Sequence, residues 1–425
     1  MVDLQVRSSQ QAGMNIHYWK TDKFKTVTFL LMAKAPLNDR TLTARALIPS
    51  ILQSGTKNYS NRKQLRRKLD DMYGAILTGD VQKKGEQHVL SFRMEIASER
   101  FLTGQQPLLK EALSLFKEVV FEPRLEGGSF AKAIVEQEKR ALSQRIAAIY
   151  DDKMRYANVR ITEEMFKGEA FALPAYGRVS DLDTLDEQAI YQAYERMVTE
   201  DRFDLYIIGA YDENELTGYI EELFTYKRHP KAEGQAAAKS PVQITENLVT
   251  EKQKVKQGKL HIGFRTHTTF GDEDYEAMQV ANGIFGGFPS SKLFRNVREK
   301  ESLAYYAASR LESHKGVLMV MAGIEFNKFE RAVAIIKEQA EAMKAGEFDE
   351  ETIEQTKAML INQMLEAIDT PRGFVELSYH EMVAGTTYPI GERIEALKKV
   401  TKMDIVNAAK KWELDTIYFL KGESE

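Results

Sequence analysis

Two short apolar runs, VTFLLMA at 27–33 and VLMVMAG at 317–323, stand out from a mixed chain. Both are far shorter than the ~20 apolar residues that a membrane helix needs, so each predicts a buried strand. DLYIIG at 204–209 and TIYFLKG at 416–422 read the same way. Between them, apolar spacing near 3.6 predicts helices at 40–53, 61–72 and 106–120. It also predicts a long helical region at 128–166, where Ala, Glu, Lys, Arg and Gln dominate. Strands are expected at 25–33, 75–83 and 87–96. Further along, the pattern predicts a strand at 258–265, helices at 272–286 and 291–300, and strands at 303–311 and 316–325. Helices at 327–344 and 349–368 follow.

A repeat organises these elements. ALPAYGRVSDLDTLDEQAIYQAYERM (172–197) and TYPIGERIEALKKVTKMDIVNAAKKW (387–412) align at one offset of 215 residues. Pro174 meets Pro389, Leu182 meets Leu397, Leu185 meets Val400, Ile190 meets Ile405 and Ala193 meets Ala408. Each copy runs on into a strand, so both halves are expected to end in helix, helix, strand. Strands mixed with packed helices, twice over, predict an α+β fold made by tandem duplication. The seam is expected in YKRHPKAEGQAAAKSPVQIT (226–245), which has no periodic apolar face. The halves are then 1–225 and 246–425.

Composition narrows the function. A chain of 425 residues with 43% hydrophobic and 29% charged positions is globular rather than disordered. Its net charge is −4, and basic clusters such as RKQLRRKLDD (62–71) run straight into acids, so no nucleic-acid footprint is expected. Cysteine is absent, which removes thiol nucleophiles, disulfides and thiolate metal sites. The first residues, MVDLQVRSSQQAGMN, lack the apolar core of a secretory signal. Together these predict a cytoplasmic protein with no membrane and no nucleic-acid partner. No Gly-x-Ser-x-Gly elbow occurs, and Gly286-Gly287 is not followed by the Gly-Lys-Ser/Thr of a phosphate loop. Those two glycines fit a hinge, a close substrate approach or a plain turn.

Candidate chemistry lies in SSKLFRNVREKESLAYYAAS (290–309). Arg298 offers a fixed cation and Tyr305 a hydroxyl donor, groups that suit a negative charge developing on oxygen. The same residues also allow a plain structural reading. Arg298 can pair with Glu301 one turn on, and Tyr305 can share a strand face with Leu303 and Ala307.

The run FGGFPSSKLF, then REK, then LAY, resembles the C-terminal half of the pitrilysin, insulinase and mitochondrial-processing-peptidase family of inverzincin-type zinc peptidases. The resemblance spans nearly the whole chain. It implies a tandem of two α+β halves enclosing a chamber, in which the residues matching Arg298 and Tyr305 hold the substrate backbone opposite a zinc ion. The family carries its zinc on a His-x-x-Glu-His helix of the first half. Here LTARALIPSILQSGT (42–56), aligned on Leu52 and Gly55-Thr56, puts Ala46, Pro49 and Ser50 at those positions. None of the three can replace the imidazole ligands or the general base. The further glutamate ligand falls near Gln144 or Arg145, neither of which is a carboxylate. His17, His88, His229, His261, His267, His314 and His380 include no pair at i, i+4 on a predicted helix; His380-Glu381 in SYHEMVAG is the nearest echo.

The resemblance therefore implies a chain without zinc that contributes substrate and oxyanion contacts to peptide hydrolysis at a partner's zinc. The partner is a homologous subunit with an intact His-x-x-Glu-His motif. The alternative is an inactive homodimeric pseudo-peptidase that binds peptides or organises an assembly.

Overall fold

The run at 27–33 forms the middle of β3 (Thr26–Pro36), where every residue from Val27 to Ala33 is buried. The computed structural model describes residues 6–103, 107–226, 228, 230, 244–301 and 303–423. Of the expected seam at 226–245, positions 227, 229 and 231–243 lie outside the described residues, and His229 with them.

The chain forms two compact units. Among the described residues, one comprises 6–147 and 173–230, the other 148–172 and 244–423. In the first unit the elements run β1 (Val6–Gln11), β2 (Met14–Lys20), β3, α1 (Leu42–Leu52), α2 (Arg62–Asp71), β4 (Ile76–Lys84), β5 (Gln87–Ala97) and α3 (Leu108–Phe121). A two-residue hairpin, β6 (Leu125–Glu126) and β7 (Ser129–Phe130), leads into α4 (Lys132–Asp151). The unit closes with α6 (Val179–Leu182), α7 (Glu187–Glu200), β8 (Arg202–Gly209) and α8 (Glu213–Leu223), while α5 (Lys153–Met165) lies in the other unit. The second unit continues with β9 (Asn247–Gln253), β10 (Gly258–Arg265), α9 (Tyr275–Asn282), β11 (Ala304–Glu312), β12 (Val317–Ile324) and α10 (Phe329–Ala345). It ends with α11 (Glu350–Ala367), α12 (Pro371–Ala384), α13 (Ile390–Lys399), α14 (Lys402–Lys410) and β13 (Glu413–Gly422).

Strand order shows the duplication directly. The first sheet runs β1-β2-β8-β3-β5-β4 and the second β11-β12-β10-β13-β9. Without β1, the two are the same list: β2, β8, β3, β5, β4 correspond to β9, β13, β10, β12, β11. The strand senses match too, since β2 with β8 and β9 with β13 are the parallel pairs and all other neighbours are antiparallel.

The repeat register carries down to single residues. Asp186 caps α7 by accepting from the Ala189 N–H at 2.7 Å, and Thr401, 215 residues on, caps α14 by accepting from the Asp404 N–H at 3.3 Å. Ile190 and Ile405 are both fully buried, as are Ala193 and Ala408 within a few per cent. The copies differ just before this point. α13 has ten residues, whereas its counterpart α6 has four. Gly177, at φ +76°, turns the first copy so tightly that a Cβ there would come 2.1 Å from Thr43 Oγ1.

The long helical region expected at 128–166 is two helices. Asp152 breaks it by accepting from the N–H groups of Met154 and Arg155, a new N-cap in mid-run. The second piece, α5, packs on β10 and β13 of the second sheet. Gly263 on β10 allows this approach, since a Cβ there would come 2.6 Å from Met165 Sδ. Glu251 on β9 ties the helix down, accepting from Tyr156 at 2.7 Å, Arg160 at 2.7 Å and Tyr418 at 2.9 Å.

Each sheet has its own apolar core. Phe29, Leu47, Phe92, Phe116 and Ile207 belong to the first, and Phe264, Phe285 and Trp412 stack in the second. No described helix is long and apolar enough to cross a membrane.

Candidate functional site

α1 carries Ala46, Pro49 and Ser50, the positions that the sequence alignment expects to match the family's zinc motif. Ala46, Leu47, Ser50 and Gln53 share one face of it and line a cavity of about 580 Å³. α2 contributes Arg62 and Arg66, β4 contributes Thr78 and Gly79, and α4 contributes Glu138 and Arg145. Gln144, the other position at which the downstream ligand was expected, is not in the lining. Pro49 is not in the lining; it packs against Gly79, where a Cβ would come 2.9 Å from the Pro49 Cβ. Proline has no N–H to give the Arg45 carbonyl, and its own carbonyl accepts from Gln53 Nε2 at 2.8 Å.

Glu138 is the one carboxylate of this cavity, and it is occupied. It is 4% exposed, and it accepts from Arg62 Nη2 at 3.0 Å and Ser54 Oγ at 3.1 Å. Arg145 lies 3.9 Å from Asp80 and over the ring of Tyr176 at 5.3 Å. A methyl group, a hydroxyl, a carboxylate already bound by arginine and three guanidinium groups do not fit a zinc ion, which takes neutral imidazole, thiolate or free carboxylate. Among the described residues, no three of His, Cys, Asp and Glu could hold a metal elsewhere. His380 Nδ1 lies 2.7 Å from His314 Nε2 with the rings stacked, and Glu381 accepts from the Tyr388 N–H at 3.2 Å. That is packing chemistry within α12 and its neighbours.

Arg45, beside Ala46, faces the core instead. Its guanidinium grips Asp201 at 3.1 and 2.7 Å and gives its Nε–H to His88 Nδ1 at 3.2 Å. The other His88 nitrogen meets the Ala175 carbonyl at 2.9 Å. Burial, then the Arg45 charge, push His88 down to about 3, so it stays neutral and can accept.

In the second unit, Arg298 lies on a π-helical turn, Phe294–Lys300, and Tyr305 is the second residue of the edge strand β11. The Leu303 N–H donates to the Val297 carbonyl at 3.0 Å, tying the turn to the strand start. Pairing shifts between Ala304, opposite Ile324, and Tyr306, opposite Gly323, so Tyr305 is the extra residue of a β-bulge. The bulge splits the tyrosine pair. Tyr305 is 70% exposed, with no hydrogen bond among the described residues, whereas Tyr306 lies against Gly323, and burial pushes its hydroxyl up to about 12.

This geometry removes the shared face with Leu303 and Ala307, both of which are buried. The Arg298–Glu301 pair does not form either. Glu301 binds Arg331 at 3.0 Å, and Arg298 lies over the Phe294 ring at 4.5 Å. Gly286 is a packing glycine, since a Cβ there would come 2.5 Å from Ser309 Oγ on β11.

Residues 184–360 match the family profile described as the peptidase M16 inactive domain. The chain is 48% identical over 415 residues, 97% of each chain, to the probable inactive metalloprotease YmfF of Bacillus subtilis (strain 168). This chain belongs to the peptidase M16 family. A conserved protein from Enterococcus faecalis V583 has a similar solved structure, with TM-score 0.90, 35% identity and 99% of both chains covered. The uncharacterized zinc protease YmxG of Bacillus subtilis (strain 168) is 20% identical over 64% of this chain and 66% of its own.

Sequence reasoning missed Arg62, Arg66 and Glu138 as parts of one cavity. RKQLRRKLDD reads as a solvated basic face, and nothing local joins it to a glutamate 76 positions downstream. Their shared periodicity with α1 and α4 faces was the only available signal.

Proposed function

We propose that this chain is the non-zinc subunit of a two-chain zinc endopeptidase, supplying Arg298 and Tyr305 to peptide bound at the zinc of a homologous partner with an intact His-x-x-Glu-His motif. The observation that carries the reading is the bulge at Tyr305. A bulge re-aims one side chain at the cost of a ladder position, and here it leaves the Tyr305 side chain 70% exposed, while Arg298, seven residues earlier, has no acidic partner among the described residues. In this role Arg298 binds substrate backbone carbonyls, and the Tyr305 hydroxyl donates to the oxyanion as tetrahedral geometry develops. The chain's own cavity at Ala46 and Ser50 does no hydrolysis.

The occurrence in one Bacillus strain of an inactive member and a zinc protease of related sequence supports a division of labour between chains. A cytoplasmic setting suits a chain without cysteine. A second reading, a homodimeric pseudo-peptidase that binds peptides without cutting them, is favoured by the missing ligand set itself. Affinity purification of the chain from its native host, followed by peptide cleavage with and without the recovered partner, separates the two. Recovery of a zinc-bearing homologue whose activity rises on adding this chain supports the first reading. Self-association with no cleavage in any fraction supports the second.

A further inference from the structure

The cavity beside α1 is more than an emptied zinc site. Its lining is two-sided: Leu47, Leu65, Leu69, Leu77 and Leu142 form an apolar wall, and Arg62, Arg66 and Arg145 bring three cations against the single carboxylate of Glu138. Small residues at 46 and 50 leave the centre open, and about 580 Å³ falls within the range of small-ligand pockets.

The three arginines are not equally committed. Arg62 is fixed by buried Glu138 at 3.0 Å. The ion-pair partners of Arg66 and Arg145 are exposed, Asp70 at 3.2 Å and Asp80 at 3.9 Å; their own side chains are 70% and 50% exposed, and Arg145 also lies over the half-buried Tyr176 ring at 5.3 Å. Ion pairs of that kind contribute little and are readily exchanged. A guanidinium presents a planar fork that matches a carboxylate. One internal carboxylate and two acidic neighbours suit a monoanion better than a dianion. Ser50, Gln53 and Thr78 add neutral hydrogen-bonding groups to the lining.

We propose that this cavity binds the C-terminal residue of a peptide, its carboxylate held by Arg145 and Arg66 and its apolar side chain laid against the leucines. Arg145, near the place where the resemblance puts the family's metal-binding glutamate, brings a permanent positive charge to the cavity. The inference does not depend on Arg298 or Tyr305.

The test uses the full chain and three probes by calorimetry: acetyl-Ala-Ala-Leu with a free carboxylate, the same peptide amidated, and amidated acetyl-Ala-Ala-Asp. The free acid should bind, the leucine amide should bind at least about tenfold more weakly, and rising salt should weaken only the acid. Arg145→Gln, and separately Arg66→Gln, should each bring the acid towards the amide, with the fold checked by circular dichroism. Equal binding of acid and amide, or acid binding unchanged in both variants, overturns the proposal. So does binding of the aspartate amide as strong as that of the leucine acid, or of inorganic phosphate alone. Absence of saturable binding of the acid up to about 10 mM, a free energy of under about 3 kcal/mol, also overturns it.

Discussion

Glu301 and Arg331 form an ion pair at 3.0 Å, and so the carboxylate one turn from Arg298 is already taken. Arg298 is left on the face of Phe294, exposed, with no ion pair among the described residues. Arg298→Ala should then change the stability of the isolated chain by less than about 1 kcal/mol. Equilibrium urea denaturation checks this, and a larger loss would mean that Arg298 holds the π-helical turn together.

Arg45 should behave in the opposite way. It is 5% exposed, and its guanidinium makes the bidentate pair with Asp201, also 5% exposed. Arg45→Met keeps the stem and strips the buried Asp201 carboxylate of its bidentate partner, leaving only the nearby Arg228 charge, which should cost about 3 kcal/mol. Denaturation of the single variant and of Arg45→Met with Asp201→Asn measures it, and the second change should recover part of the loss.

Acid should weaken both units through histidines held neutral. Burial, together with the Arg45 charge, lowers His88 to about 3, and burial lowers His261 to about 4, against 6.5 for the unfolded chain. Unfolding therefore takes up a proton at each as the pH drops below 6.5. The stability due to their neutrality is complete above that pH and is lost as pH falls towards 4 for His261 and 3 for His88. The expected slope is about 1.4 kcal/mol per pH unit for each group. Urea midpoints between pH 7 and 5 should fall on the acid side, and His88→Gln should remove part of the slope.

The duplication could be read in the sequence because helix faces and caps repeat at one offset. Asp186 and Thr401, like Ile190 and Ile405, keep their register through 215 residues of divergence. β1 and β9 gave no such signal, since VRSSQQ and NLVTEKQ are edge strands with mostly exposed side chains and no apolar alternation. α12 was also missed, although Thr370 as N-cap and Pro371 behind it mark its start. At the candidate site, the residue types were legible and the aim was not. Alternation puts Tyr305 with Leu303 and Ala307, and only the slipped register at Ala304 and Tyr306 turns it outward. The break at Asp152 was hidden because the residues on both sides favour helix.

Rebuilding the zinc motif tests the reading of the cavity. Ala46→His, Pro49→Glu and Ser50→His together should still retain no zinc after dialysis, because Arg145 keeps a cation in the cavity. Adding Arg145→Glu should allow up to one zinc per chain by elemental analysis. Zinc bound by the triple variant alone would show that Arg145 is not the obstacle.

The most direct measurement is kcat/KM of the assembled peptidase, this chain with its zinc-bearing partner, carrying Tyr305→Phe. The change keeps the ring and removes only the hydroxyl that the bulge directs outward. If that hydroxyl serves the oxyanion, kcat/KM should fall on the order of 10²–10³ while assembly and melting temperature stay unchanged. Unchanged kcat/KM, or a fall explained entirely by lost assembly, would contradict the account.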